Sequence, residues 1–177
     1  MAVAPGRDAL IQLPDAALEA ACELDRYRAS GPGGQHRNKT ESAVRLRHLA
    51  TGVTVHADDS RSQAENRALA VRRLREALAL EVRQPIDLDG WAPSPRLRAL
   101  VDGGVARLGE RTRRTTDYLL GFAELLDLFV AVGAEVGAAA ARLGISTGAC
   151  SRLLLVDDHT SRTVNRLRGE RGLRLLR

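Results

Sequence analysis

Lysine is nearly absent from this sequence: Lys39 is the only one in 177 residues. Arginine carries the positive charge instead. Lys and Arg together outnumber Asp and Glu by 27 to 22, a formal net charge of +5. That balance fits a polyanion partner such as RNA or DNA, and it equally fits an arginine-rich protein from a GC-rich genome. Aromatic residues make up only 3%, so any core must be built from Leu, Val and Ala. There are two cysteines, Cys22 and Cys150. They lie far apart and neither sits in a CxxC pair, which excludes a disulfide framework and a cysteine-built zinc site. Long apolar runs are missing too. The most apolar stretch, LLGFAELLDLFVAVGA (119–134), is broken by Glu124 and Asp127 and is too short and too charged to span a bilayer. The start, MAVAPGRDAL, lacks the apolar centre of a signal peptide. No membrane association and a cytoplasmic location are expected. No Ser/His/Asp triad and no metal-ligand set is legible, and no cofactor is expected.

The length suits one domain, or one domain with a small appendix. Pro14 and Asp15 are placed to open a short helix. In LDRYR (24–28), Leu24, Arg26 and Arg28 alternate against Asp25 and Tyr27, as in a strand. In SAVRLRHL (42–49), Val44, Leu46 and His48 point one way and Arg45, Arg47 and Leu49 the other, the pattern of a half-buried strand. ATG (50–52) reads as a turn and VTVHA (53–57) as the return strand, so the pair makes a β-hairpin. His48 and His56 read as ordinary hairpin positions. The clearest helix covers 58–83. Ser60 and Gln63 fit a capping box. Ala64, Ala68, Val71, Leu74, Leu78 and Val82 recur at three- and four-residue steps and give it one apolar face. Pro85 stops it. QPIDLDGWAPSP (84–95) has a linker's composition, and a new section begins near residue 96.

Between the first two strands stands SGPGGQHRNKT (30–40). Glycine and proline give it no regular periodicity, so it reads as loop. The tripeptide GGQ alone is a weak signal; chance supplies one in a chain of this size on the order of a few per cent of the time. Its surroundings are more specific. SGPGGQH is followed by NKTESAV, then by the TG turn, then by RSQAENRALAVRRL, in that order over roughly residues 24–80. This series resembles the catalytic domain of bacterial class I peptide chain release factors. It resembles equally their short relatives, the codon-independent ribosome-rescue hydrolases.

The resemblance implies hydrolysis of the ester that joins a nascent peptide to tRNA, in the peptidyl transferase centre of the large ribosomal subunit. The partners it implies are rRNA of the large subunit and peptidyl-tRNA. Gly33 and Gly34 would let the backbone approach RNA closely, and Gln35 would enter the cavity without the desolvation cost of a charge. The Gln35 N–H would stabilise developing negative charge on oxygen, and its side-chain amide would place the attacking water. Ser30, His36, Asn38 and Thr40 are read as RNA contacts or loop supports, His36 in preference to a role as base. Arg28, Arg37, Lys39 and Arg45 are read as phosphate contacts, with a solvated loop position the plain alternative for each. At Arg37 the family usually has a small apolar residue. Whether Gln35 is methylated by a dedicated methyltransferase stays open.

The expected architecture is α+β: a small GGQ domain over residues 1–84, with a hairpin-containing sheet packed on a long helix, then a linker (85–114) and an all-α module (115–177). In that module TTDYLLGFAELLDLFVAV gives one helix. AAAARLGISTGACSRLL (138–154) resembles a helix-turn-helix, with Gly144 at the turn and Ser146 capping the second helix. Thr147, Ser151 and Arg152 are the polar positions that helix would present. A nucleic-acid contact and a purely structural bundle are both open readings. Arg162, Arg166, Arg168, Arg171, Arg174 and Arg177 make the last segment basic, and Gly169 or Gly172 would end its helix.

Full release factors carry further domains that read the stop codon, and residues 1–23 are too few to hold one. The expected function is therefore codon-independent release from stalled ribosomes or large subunits, by a monomer. The alternative is a non-catalytic nucleic-acid-binding protein on a release-factor scaffold.

Overall fold

The structure is a computed structural model that describes residues 6–27, 42–105, 109, 112 and 115–177. The chain divides into two compact units, Met1–Leu78 and Ala79–Arg177.

The first unit opens with two short helices, α1 (Arg7–Gln12) and α2 (Asp15–Ala20). Pro14 precedes the second at its N-cap, as its fixed φ favours; α1 has no legible signal in the sequence. Three antiparallel strands follow in the order β1 (Cys22–Tyr27), β2 (Ala43–His48) and β3 (Thr54–Ala57). The register sets Leu24 opposite Leu46 and Leu46 opposite Val55. Because side chains alternate along a strand, Val44, Leu46, His48, Val53, Val55 and Ala57 share the buried side. Arg45 and Arg47 face solvent, as the alternation predicts. The β2–β3 turn closes at Gly52, where φ is +73°, a conformation that glycine adopts without penalty.

Helix α3 (Gln63–Glu81) supplies the other side of the core. Its buried stripe is Asn66, Ala70, Val71, Leu74 and Leu78. Ala64 and Ala68, assigned to this face by periodicity, are exposed. Alanine has too little apolar surface to decide a face, and the buried slot in the first turns goes to a hydrogen-bonded asparagine. The cap also differs from expectation. The Ser62 hydroxyl accepts from the Glu65 N–H at 3.3 Å, the cap bond expected of Ser60. Arg75 clamps the opening helices onto α3: it donates to the carbonyls of Ile11 (2.9 Å) and Leu13 (2.6 Å) and to Asp15 (2.7 Å).

The boundary between the units falls near the end of α3. The stretch expected to be linker holds a helix, α4 (Pro95–Gly103). Ser94 caps it, accepting from the Leu97 N–H at 3.2 Å, and Pro95 occupies its first turn. Helix α5 (Thr116–Ala131) is buried along nearly its whole length. The two acids that interrupt its apolar sequence anchor the chain before α4. Asp127 accepts from the Gln84 N–H (3.0 Å) and pairs with Arg83, while Glu124 accepts from the Ser94 N–H (2.9 Å). Among the described residues no helix is long and apolar enough to cross a membrane.

Three helices complete the unit: α6 (Val136–Leu143), α7 (Thr147–Leu154) and α8 (Asp158–Gly169). Gly144 caps α6 in the left-handed conformation, and Ser146 caps α7 by accepting from Ala149 N–H at 3.2 Å, both as read from the sequence. Asp157 and Thr160 form a reciprocal capping box at the start of α8, which ends at Gly169. The whole is α+β, a small antiparallel sheet with helices followed by an all-helical part.

Candidate functional site

Residues 28–41 join β1 to β2, and the two strands face each other across Tyr27 and Ala43 where this connection begins and ends. Gly33, Gly34 and Gln35 fall inside it. So do Arg28, Ser30, His36, Arg37, Asn38, Lys39 and Thr40. All ten lie outside the described residues. What the structure does describe is the frame to which this segment is attached.

Each end of the frame is fixed by a side chain from another element. At the β1 end, the Tyr27 hydroxyl lies 3.3 Å from His56 Nδ1 on β3, and the two rings meet edge to face with centroids 5.9 Å apart. At the β2 end, Asn66 on α3 donates from Nδ2 to the Ser42 carbonyl at 2.7 Å. The same amide donates to the Ser60 carbonyl (2.7 Å), and its oxygen accepts from the Ser60 N–H (2.9 Å). Asn66 is fully buried. Its three bonds use most of what a side-chain amide can make, so the residue is locked and Ser42 is locked with it.

Arg45 is the one sequence-assigned contact residue that is described. It stands on the exposed face of β2, half-exposed, with its guanidinium bonded to Asp25 of β1 directly across the strands. That bond holds the already high guanidinium pKa higher still. A phosphate at Arg45 would share it with Asp25. Asp25, Arg26, Tyr27, Arg45 and His56 line a shallow surface groove of about 380 Å³ beside the loop ends. Arg73 of α3 forks onto both carboxylate oxygens of Asp59 at 2.8 Å and donates to the His56 carbonyl at 2.7 Å. This pairing pulls the Asp59 pKa below the usual carboxylate range. His56, read from sequence as an ordinary hairpin residue, thus sits at the edge of the loop frame, held on its main chain by Arg73 and meeting Tyr27 with its ring.

The β2–β3 turn is held separately. His48 is buried, and its Nδ1 accepts from the Thr51 N–H (3.3 Å) and bonds the Thr51 hydroxyl (2.9 Å). Burial pushes its pKa below the ordinary 6.5.

A three-stranded antiparallel sheet backed by one long helix makes the first unit an α+β domain, and the sequence between its first two strands holds Gly33, Gly34 and Gln35. Among known families, residues 12–88 match the RF-1 domain, a match reaching beyond the motif series on both sides. Peptide chain release factor 2 of Sulfurimonas denitrificans is 56% identical over 55 residues, 31% of this chain and 15% of that protein. Peptide chain release factor 1 of Acidiphilium cryptum is 54% identical over 65 residues, 37% of this chain and 18% of its own. The corresponding factor of Geobacter metallireducens is 41% identical over 97 residues, 54% of this chain and 25% of its own. The chain thus spans a quarter or less of the length of these relatives.

Proposed function

We propose that this chain is a peptidyl-tRNA hydrolase that releases nascent peptides from stalled ribosomes or large subunits without reading a codon. One observation carries the proposal. The segment SGPGGQH is the connection of two strands whose facing ends are tied by Tyr27–His56 and by Asn66–Ser42, inside a domain matched to release factors. A reactive loop that enters an RNA cavity needs a rigid base and a slender tip. The frame supplies the first, and Gly33, Gly34 and Gln35 supply the second.

The chemistry follows from those residue types. Gly33 and Gly34 have no side chains to obstruct close approach to RNA. The Gln35 N–H donates to oxygen as negative charge develops there, and the side-chain amide positions water for attack on the ester carbonyl carbon. The ester C–O bond breaks, the peptide leaves as its acid, and the tRNA ribose recovers its hydroxyl. Ser30, His36, Asn38 and Thr40 hold the loop or contact rRNA, and Arg28, Arg37, Lys39 and Arg45 meet phosphates. Residues 1–84 form the catalytic part, and 115–177 dock it in place of a codon-reading domain.

The test is peptide release from purified ribosomes carrying peptidyl-tRNA and no stop codon, run beside isolated large subunits. Wild type should release peptide from at least one particle. Gln35→Ala, which removes the amide that places the water, and Gly34→Ala, which obstructs close approach, should lose release by roughly a hundredfold, the scale of misplacing a reacting group, while still binding. No release by wild type from either particle, or equal loss of binding in both variants, would overturn the proposal.

A further inference from the structure

Charge is divided very unevenly along this chain. Residues 136–177 hold eight arginines and three acidic residues; eight less three is +5, the formal net charge of the whole protein. The RF-1 domain is therefore not where the excess positive charge lies.

The fold accounts for some of these arginines and leaves others over. Arg168 is structural: it is buried and donates to the carbonyls of Ala134 and Arg174, both at 2.6 Å. Arg166 pairs with Glu170 at 2.8 Å. Arg142 and Arg171 each donate to a main-chain carbonyl. Arg152, Arg162, Arg174 and Arg177 are exposed, and their side chains make no hydrogen bond or ion pair with any described residue.

One of those four, Arg162, lines a groove on α8, and Arg174 and Arg177 belong to the segment that returns along it. After α8 the chain reverses at Gly172, where φ is +69°, and the last residues return along the helix. Asn165 pins them with both ends of its amide, accepting from the Leu176 N–H (2.7 Å) and donating to the Leu176 carbonyl (3.2 Å). Between helix and returning segment runs a groove of about 620 Å³, lined by Ser161, Arg162, Asn165, Arg166 and Leu175, with Asp158 at its start. Arg174 and Arg177 flank the pinned Leu176 in sequence. Arg162 and Arg166 are one helical turn apart, a rise of roughly 6 Å, so the charges follow a line and do not converge on a point. Two guanidiniums a turn apart, with the Ser161 hydroxyl beside them and Arg174 and Arg177 on the returning segment, suit an extended polyphosphate backbone better than a single small anion.

We infer that the groove between α8 and the returning C-terminal segment binds the phosphate backbone of structured RNA. The choice of RNA over DNA rests on reading residues 12–88 as a release-factor domain; the charge and geometry of the groove do not depend on it. Asp158 sets the polarity, since its carboxylate repels phosphate and leaves Arg162 as the contact, with Arg166 shared between phosphate and Glu170. The groove is a fixed surface, its far wall held by Asn165 and Arg168.

The experiment uses the full chain with Arg162, Arg174 and Arg177 replaced together by Ala, and separately by Lys. Binding is measured to a labelled RNA hairpin, to a DNA duplex of the same sequence and to large ribosomal subunits, across a salt series. Wild type should prefer the RNA. The alanine variant should bind it roughly tenfold or more weakly, with the slope of log K against log salt reduced by about 0.7 to 0.9 for each phosphate no longer neutralised. The lysine variant should retain most of the binding, and all three proteins should melt together, because these side chains make no bond in the fold. Unchanged affinity and slope in the alanine variant would overturn the inference, as would equal or tighter binding of the DNA. Peptide release is followed in parallel. If wild type binds RNA through these arginines yet releases nothing, the hydrolase reading falls and the groove stands.

Discussion

Asn66 is the residue on which the loop frame turns. Replacing it with Ala leaves the carbonyls of Ser42 and Ser60 and the N–H of Ser60 without their partner. Each buried, unsatisfied polar group costs about 1–3 kcal/mol, so Asn66→Ala should destabilise the first unit by about 3 kcal/mol in urea unfolding. Asn66→Asp should be worse, since it sets a carboxylate against two carbonyl oxygens in a buried site; an Asp variant as stable as wild type would refute this account. His48 gives a second prediction, with a definite sign. Its folded-state pKa lies below 6.5, so below about pH 6.5 the unfolded chain takes up a proton that the folded chain resists. The stabilising contribution of neutral His48 is complete above that value and declines as pH falls beneath it. Urea unfolding of wild type and His48→Gln from about pH 7.5 to about pH 5.5 should show their stability difference narrowing toward acid. A constant difference would exclude His48 as the titrating group. The burial of His48 is legible from strand alternation. The bond from Asn66 to Ser42 is not, although Asn66 stands inside the motif series, because its partner lies 24 residues away and periodicity carries no information on such pairs.

Elements legible in the sequence are those with a strong local signal: the β2–β3 hairpin with Gly52 at its turn, the long α3, the capped α6–α7 pair around Gly144. Helix α1 escapes because six residues carry too little pattern, and α4 is masked by the proline- and aspartate-rich stretch before it. Pro95 reads as punctuation in the sequence, yet it opens a helix. The close packing of α4 on α5 also escapes, since it depends on a glycine that a helix would otherwise disfavour. A Cβ at Gly121 would lie 3.0 Å from the Arg96 carbonyl oxygen and 3.2 Å from the Leu97 nitrogen. Those are main-chain atoms at the capped start of α4 and have little room to yield. Gly121→Ala gains about 1 kcal/mol of helix propensity against roughly 1–3 kcal/mol of overpacking, so a net loss near 1 kcal/mol is expected. Gly137 on α6 is the control. It is exposed with nothing within 4 Å of the added carbon, so Gly137→Ala should stabilise by about 0.5 kcal/mol. Thermal melts of both variants decide it; Gly121→Ala melting above wild type would mean that α4 moves aside freely.

On the scale of the whole molecule, the reactive segment and the excess charge belong to different parts of the chain. The segment with GGQ lies in the stretch that matches the RF-1 domain. Among the described residues, the arginines whose side chains make no hydrogen bond or ion pair are Arg152, Arg162, Arg174 and Arg177 beyond residue 150 and Arg26, Arg61 and Arg72 before residue 80, and Arg162 lines the α8 groove. Under the proposed function this division adds an attachment surface apart from the chemistry, beyond the phosphate contacts of Arg28, Arg37, Lys39 and Arg45 beside the loop. Attachment through phosphates releases condensed counterions and weakens steeply with salt. The chemical step relies on a neutral glutamine and on main-chain groups, whose interactions in a water-excluded site are little screened. Raising salt from about 50 mM to about 200 mM should therefore raise the KM for ribosomes by tenfold or more and leave kcat nearly constant. The measurement is peptide release at saturating and sub-saturating protein across that range, with particle integrity checked at each salt concentration. The Arg162, Arg174 and Arg177 alanine variant should show a high KM already at low salt and a shallower further rise. Were kcat to fall in step with affinity, the same contacts would be acting in the transition state as in binding, and the groove would be part of the reaction rather than its mooring.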